Sequence, residues 1–309
     1  WQYSVLDADV QYLGEGETKT EIFTVSSVDG TEHEITIIIE GVNGAAVISG
    51  DASGAVLEDD QLTTLSDAGA LSITDEDQGE AVFVPSSVVT PDDALGSLTI
   101  NALGEWVYQV ENADVQYLGD GETKVETFTV ESDDGTQHDI EITITGVNDS
   151  AVISGDAVGE VVEDESATTL VENGQLTILD SDSNQAKFDV NSVSASVGAT
   201  GVLTITESGV WEYTTSNSSV QHLALNEVIQ ESFTVESVDG TEHTITIDIV
   251  GTNDIPSISG VIVGNVVEDS TLQSTGALQV SDVDNGASHT WSLIGEVDST
   301  YGEFSINQS

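Results

Sequence analysis

Apolar and polar residues alternate with period two along much of this chain. Phe233, Val235, Ile245, Ile247 and Ile249 fall on one face of the segments 231–236 and 244–250, with Thr and acidic residues on the other. That period, with Thr, Val and Ile enrichment, predicts half-buried antiparallel strands. Between them Val238-Asp239-Gly240-Thr241 reads as a hairpin turn, in which Gly supplies a positive φ. Leu203-Thr204-Ile205 and Trp211-Glu212-Tyr213 flank Ser208-Gly209, which reads as a second hairpin. No stretch carries a capped helical period.

The pattern repeats. Trp1, Trp106 and Trp211 stand 105 residues apart, each opening a Trp-x-Tyr phrase. Asp29-Gly30-Thr31, Asp134-Gly135-Thr136 and Asp239-Gly240-Thr241 keep that spacing, as do Gly41-Val42-Asn43, Gly146-Val147-Asn148 and Gly251-Thr252-Asn253. A period this long is one small domain, not a solenoid turn. Roughly seven strands fit in each, the signature of an Ig-like or cadherin-like sandwich. The fold class is therefore expected to be all-β, with tandem antiparallel β-sandwiches forming an extended rod. Placing boundaries after the Asn-Asp step gives a partial unit at 1–44, complete units at 45–149 and 150–254, and a partial unit at 255–309. The joints are only a few residues long and not Gly/Ser-rich, so they do not read as flexible tethers. The chain starts and stops inside a repeat. Either the natural chain continues, carrying any targeting signal with it, or the back of one molecule closes the front of the next, end to end.

Charge sharpens the picture. The formal net charge is -54, from 57 acidic side chains against 3 lysines. Such a surface rejects nucleic acid and acidic membranes. No apolar run spans a bilayer, so no direct membrane insertion is expected. With 38% hydrophobic residues in β-branched runs, the chain can bury a core and does not read as disordered. The absence of Cys excludes disulfides and thiolate metal sites. Charge alone leaves two readings open, a solvated or salt-adapted surface and the binding of divalent cations.

Five acidic or amide clusters recur per period. Glu58 and Glu163 end a strand; Asn112 and Asp114 follow the Trp-x-Tyr strand; Asn148-Asp149 and Asn253-Asp254 form joints. Asp75-x-Asp77, Asp180-x-Asp182 and Asp282-x-Asp284 follow an apolar strand, and Asp134 and Asp239 stand at Asp-Gly turns. Ca²⁺ takes six to eight oxygens from such groups. Asp-x-Asp on an extended strand end would present both carboxylates on one side. An EF-hand loop starting at Asp75 fails, because its sixth and twelfth positions hold Glu80 and Ser86. A single Asp-Gly or Asn-Asp pair is ordinary turn chemistry; five clusters recurring in step favour metal.

The phrases Gly-Val-Asn-Asp-Ser-Ala-Val-Ile-Ser-Gly, Val-Val-Glu-Asp and Phe-Thr-Val-x-Ser-x-Asp-Gly-Thr resemble the VCBS repeats of large, RTX-type bacterial surface adhesins, which are cadherin-like in fold and calcium logic. The resemblance covers essentially the whole chain. It implies a non-enzymatic, extracellular stalk at the bacterial surface, with Ca²⁺ between neighbouring repeats, projecting a distal binding domain for cell adhesion or biofilm attachment. The alternative is a calcium-dependent glycan-binding or homophilic module. Carried over, the cadherin pattern assigns to the first joint Asp7, Asp9, Asn43, Asp75, Asp77 and Asp134. The second takes Glu58, Asn112, Asp114, Asn148, Asp149, Asp180, Asp182 and Asp239. The third takes Glu163, Asn217, Asn253, Asp254, Asp282 and Asp284. Asp59, on the opposite strand face from Glu58, is not expected to ligate. Gly44 stands where the joint Asp is expected and Ser219 where Asp114 has its counterpart, which implies weaker or fewer ions at those two joints.

Other candidates fit structural roles better. His33, His138 and His243 recur one per repeat beside the turn, too sparsely for zinc or a catalytic base. The Trp and Tyr pairs share a strand face and read as core. No Gly-x-Ser-x-Gly elbow is present. Paired carboxylates repeated in every unit do not make a glycosidase cleft. A Lys–Asn isopeptide staple is unexpected, because Lys19 and Lys124 become Ile229 in the next repeat.

Overall fold

The computed structural model describes residues 1–58, 61–163, 166–295 and 301–307; Asp59 lies outside them. The chain is all-β, with 19 strands and three single turns of 3₁₀ helix among the described residues. It divides into two compact units, Trp1–Asp149 with Ser181–Ser183, and Ser150–Asp180 with Asn184–Ser309.

In the first unit a hairpin, β1 (Thr18–Ser26) and β2 (Glu32–Glu40), is followed by one seven-stranded sandwich. Its strands are β3 (Val47–Gly50), β4 (Ser53–Leu57), β5 (Thr64–Thr74), β6 (Ser97–Ile100), β7 (Glu105–Glu111), β8 (Thr123–Glu131) and β9 (Gln137–Thr145). One sheet runs β3-β5-β7-β6 and the other β4-β9-β8. Their inner faces share one core, in which Trp106, Tyr108, Phe128, Ile140, Ile142 and Ile144 are almost wholly buried. The second unit repeats the plan with β10 (Val152–Gly155), β11 (Val158–Val162), β12 (Thr169–Leu179), β13 (Ser194–Ala195), β14 (Val202–Ile205), β15 (Val210–Ser216), β16 (Val228–Glu236) and β17 (Glu242–Val250). The short β13 lengthens its second sheet to β11-β17-β16-β13. A further pair, β18 (Ser257–Gly260) and β19 (Leu278–Ser281), follows.

Alternation accounts for the strands. Phe233, Val235, Ile245, Ile247 and Ile249 point inward and are buried, and the β16–β17 turn carries Gly240 at φ +86°. Both sequence-predicted hairpins form, the second with Gly209 at φ +87°. Not every pairing is antiparallel, however. β4 runs parallel to β9, and β11 parallel to β17. The opening strand of each repeat pairs first in one sheet and then crosses to the other, turning at Gly50 and Gly155, both at φ +113°. Period-two patterning fixes which residues point inward but not the partner strand.

The indoles of Trp106 and Trp211 are core residues. Their Nε1 groups donate to the Asp51 and Asp156 carbonyls at 2.7 and 2.8 Å. The rings lie over Gly69 and Gly174, where any Cβ would overlap the six-membered ring. Trp1 differs and is 86% exposed.

Candidate metal centres

The joint segments run extended, and alternate backbone amides donate to carboxylates. In the first unit Val147 N–H reaches Glu58 Oε2 at 2.9 Å, and Asp149 N–H reaches Asp182 Oδ2 at 3.1 Å. Near the start of the same unit, Gly44 N–H reaches Asp77 Oδ2 at 2.7 Å and Ala46 N–H reaches Asp134 Oδ2 at 2.9 Å. In the second unit Thr252 N–H reaches Glu163 Oε2 at 3.1 Å and Asp254 N–H reaches Asp284 Oδ2 at 3.1 Å; Ala151 N–H reaches Asp239 Oδ2 at 3.0 Å. In an extended chain, N–H groups two residues apart point the same way. Each joint is therefore edged by anionic oxygens.

The Asp-x-Asp pairs arrive by a turn rather than on an extended strand end. Asp77 N–H donates to Asp75 Oδ1 at 2.9 Å, and Asp284 N–H to Asp282 Oδ1 at 3.1 Å. This side chain-to-backbone turn competes successfully with strand continuation. It is anchored from the preceding repeat, as Gln78 N–H donates to the Tyr12 carbonyl at 3.1 Å and Asn285 N–H to the His222 carbonyl at 2.8 Å.

Around the third joint the second unit brings together Glu163, Asp254, Asp282 and Asp284. Gln221 Nε2 donates to Glu163 Oε1 at 2.7 Å. Burial raises the Glu163 carboxyl above its ordinary range; the Thr252 amide opposes this, while Asp254 and Asp284 push it further up. Asn217 is buried on a 3₁₀ turn (Asn217–Ser219), and exposed Asn253 donates its amide to the Asp254 carbonyl at 2.8 Å. Around the first joint the structure gathers Asp75, Asp77 and Asp134. Asp7 and Asp9 lie on an exposed 3₁₀ turn and Asn43 on the exposed joint, and none of the three shares a hydrogen bond with that group. Of the residues assigned to the second joint, Glu58, Asn112, Asp114, Asn148, Asp149 and Asp182 belong to the first unit, and Asp180 and Asp239 to the second. Glu58, Asn112 and Asp182 are buried, whereas Asp114 and Asn148 are exposed.

Asp134 and Asp239 do more than edge a joint. Both oxygens of Asp134 are engaged, by Ser132 Oγ and Thr136 N–H on one side and by Thr136 Oγ1 and Ala46 N–H on the other. Asp239 repeats this with Ser237, Thr241 and Ala151. Four donors use the lone pairs of a carboxylate. These two aspartates therefore clamp the entering strand of a repeat to its last hairpin.

Sequence reasoning missed Gln116 and Gln221, which hydrogen-bond Glu58 and Glu163, and the anchoring carbonyls of Tyr12 and His222. The glutamines recur 105 residues apart, and that signal was readable. The carbonyls carry none, since every residue has one.

Among the described residues, no three acidic or imidazole side chains converge tightly enough to enclose a metal ion by themselves. The donor chemistry nevertheless fits a hard cation. All the groups are carboxylate or amide oxygens, and Asp75 Oδ2 and Asp284 Oδ1 are buried without a hydrogen-bond donor. Buried anionic oxygens of that kind need a compensating charge, and the ion pair Lys124–Asp93 lies in neither group.

The bacterial cadherin-like domain family matches residues 43–146 and 148–251, more than half of the chain. The chain belongs to this family, as two tandem copies of its domain. Among solved structures, the protocadherin gammaB7 EC3-6 cis-dimer is 11% identical over 87% of this chain and 64% of its own, with a TM-score of 0.41. Mouse cadherin-23 EC22-24 is 13% identical over 81% and 77%, with a TM-score of 0.40. A Ca²⁺-stabilized adhesin that helps an Antarctic bacterium reach out and bind ice is 16% identical over 82% of this chain and 61% of its own, with a TM-score of 0.26. The chain thus spans less than two thirds of the protocadherin gammaB7 and adhesin structures. No curated protein sequence matches it.

Proposed function

We propose that this chain is an extender segment of a bacterial cell-surface adhesin, made of cadherin-like repeats that Ca²⁺ stiffens at their joints. Its work is mechanical and non-catalytic: it sets the reach of a distal binding domain and resists bending and pulling. The observation that carries the reading is the line of anionic oxygens along each joint segment, with Asp75 Oδ2 and Asp284 Oδ1 buried and lacking donors. Glu163, Asn217, Asn253, Asp254, Asp282 and Asp284 would hold ions at the third joint, and Asp7, Asp9, Asn43, Asp75 and Asp77 at the first. At the second, Glu58, Asn112, Asp114, Asn148, Asp149 and Asp182 of the first unit would take that role. Asp134 and Asp239 act there as clamps. A bound cation would neutralise repulsion that otherwise opposes ordering of the joints.

Repeat boundaries at residues 44, 149 and 254 follow from the same reading, and export to the cell surface is the setting it requires. The described residues contain no helix long and apolar enough to cross a membrane. The test is a CaCl₂ titration of the whole chain followed by small-angle scattering and melting. The expected result is a longer maximum dimension and a higher melting temperature in Ca²⁺ than in chelator. Identical profiles in the two conditions would remove the proposal.

A further inference from the structure

The three Asp-x-Asp turns differ in where a neighbouring carboxylate stands. In each set one position lies at the joint and another three residues after the second Asp. These are Gly44 and Glu80 around Asp75 and Asp77, Asp149 and Gln185 around Asp180 and Asp182, and Asp254 and Ala287 around Asp282 and Asp284. Every set has one acid in this pair of positions and none has two. The joint that lacks its aspartate is the one with a glutamate after the turn.

The first unit gives this exchange a geometry. A Cβ built on Gly44 would lie 3.6 Å from Asp77 Oδ2, so a side chain at 44 would stand against the Asp77 carboxylate. Glu80 approaches the same aspartate from elsewhere. Its Oε1 fills the space beside Gly14 that any side chain there would occupy, and the Cβ of Asp77 borders that space at 3.8 Å. The third set has Ala224 at the position of Gly14, alongside Ala287 in place of Glu80. The Glu80 backbone N–H caps the turn on the Asp77 carbonyl at 3.4 Å, and its carboxylate accepts no hydrogen bond among the described residues.

We propose that Glu80 supplies the carboxylate that the first joint lacks at Gly44 and is a further ligand-bearing residue for a divalent cation there. This rests on the calcium reading above. Glu80 is not part of the ligand pattern carried over from the family, and on this reading Gly44 need not leave the joint deficient in charge. Without a cation the Glu80 carboxylate meets the like charge of its neighbour Asp77, which a bound cation would turn into an attraction.

The test uses the whole 309-residue chain, CaCl₂ as the probe, and calorimetric titration with melting in Ca²⁺ and in chelator. Glu80→Gln is expected to weaken one class of Ca²⁺ site by roughly tenfold, leaving the others unchanged, since affinity follows ligand charge count. Gly44→Asp combined with Glu80→Gln is expected to recover that class. The sign of the melting shift separates ligation from packing. Glu80→Gln should melt lower than the parent in Ca²⁺ and no lower in chelator. Equal losses in both conditions would make Glu80 structural and overturn the proposal. An unchanged isotherm for Glu80→Gln, with Asp75→Asn losing the site, would overturn it while leaving the calcium reading intact. A parent chain that binds no Ca²⁺ would overturn both.

Discussion

The Tyr213 hydroxyl donates to Glu231 Oε2 at 2.9 Å inside the core of the second unit. Glu231 also accepts from Thr200 N–H at 2.6 Å, Thr200 Oγ1 at 2.8 Å and Gly201 N–H at 3.2 Å. A carboxylate in the hydrophobic core is tolerated because four donors surround it. Burial, then the Glu231 hydrogen bond and charge, push the Tyr213 phenol well above its ordinary pKa, so it stays a donor throughout the usable pH range. Tyr108 and Glu126 repeat the arrangement at 2.9 Å, with Leu95 and Gly96 donating. The pair pins the loop before β14, or β6, onto β16, or β8.

Removing one partner should cost more than removing the phenol. Glu231→Ala leaves two backbone N–H groups and a phenol buried without an acceptor, an expected loss of about 3 kcal/mol or more, whereas Tyr213→Phe should cost about 1 kcal/mol. Differential scanning calorimetry of the whole chain is the check. A Glu231→Ala transition within a degree of the parent's would refute this account.

The Asp239 clamp should set an acid limit. Burial alone would raise the Asp239 carboxyl, but hydrogen bonds from Ser237, Thr241 and Ala151 outweigh it and hold the group down to about 2. A depressed folded-state pKa contributes stability above the unfolded value, about 3.9, and that stability is lost as pH falls toward 2. Asp239→Asn should therefore flatten the stability curve between about pH 4 and pH 2. Parallel acid-unfolding curves for parent and variant would count against the clamp.

Gly174→Ala should be strongly destabilising. The added Cβ overlaps Cζ2 of Trp211, whose ring is fixed by its bond to the Asp156 carbonyl. Overpacking of this kind costs typically 1–3 kcal/mol. Tryptophan fluorescence should report a displaced indole and a lower melting temperature. An unshifted spectrum with a parental melting temperature would show that the slot has room.

Calcium should stabilise the chain by mass action. At 100-fold above its dissociation constant, an ion that binds only the folded state adds about 2.7 kcal/mol. Asp254→Ala removes a carboxylate from the third joint and should lower both the affinity and the calcium-dependent gain in melting temperature. Parental affinity in this variant would take Asp254 out of the site.

The hydrophobic period determined the strands, their inward faces and both hairpins, because alternation and turn chemistry are local. The 105-residue period determined the repeats and showed where acidic groups recur. Tertiary structure decided which strands pair. β4 and β11 run parallel to the last strand of their own repeat, pairing residues 88 positions apart, such as Ser53 with Glu141, which no local pattern encodes. It also separated acids that look alike in sequence. Asp75 and Asp134 both read as ligands, yet Asp134 is saturated by four donors while Asp75 keeps a buried oxygen without one. Glu231, unremarkable in the sequence, became a core pin for the same reason, and Glu80 is proposed as a site residue on the same ground. The role of a carboxylate is set by the donors and charges that folding places around it.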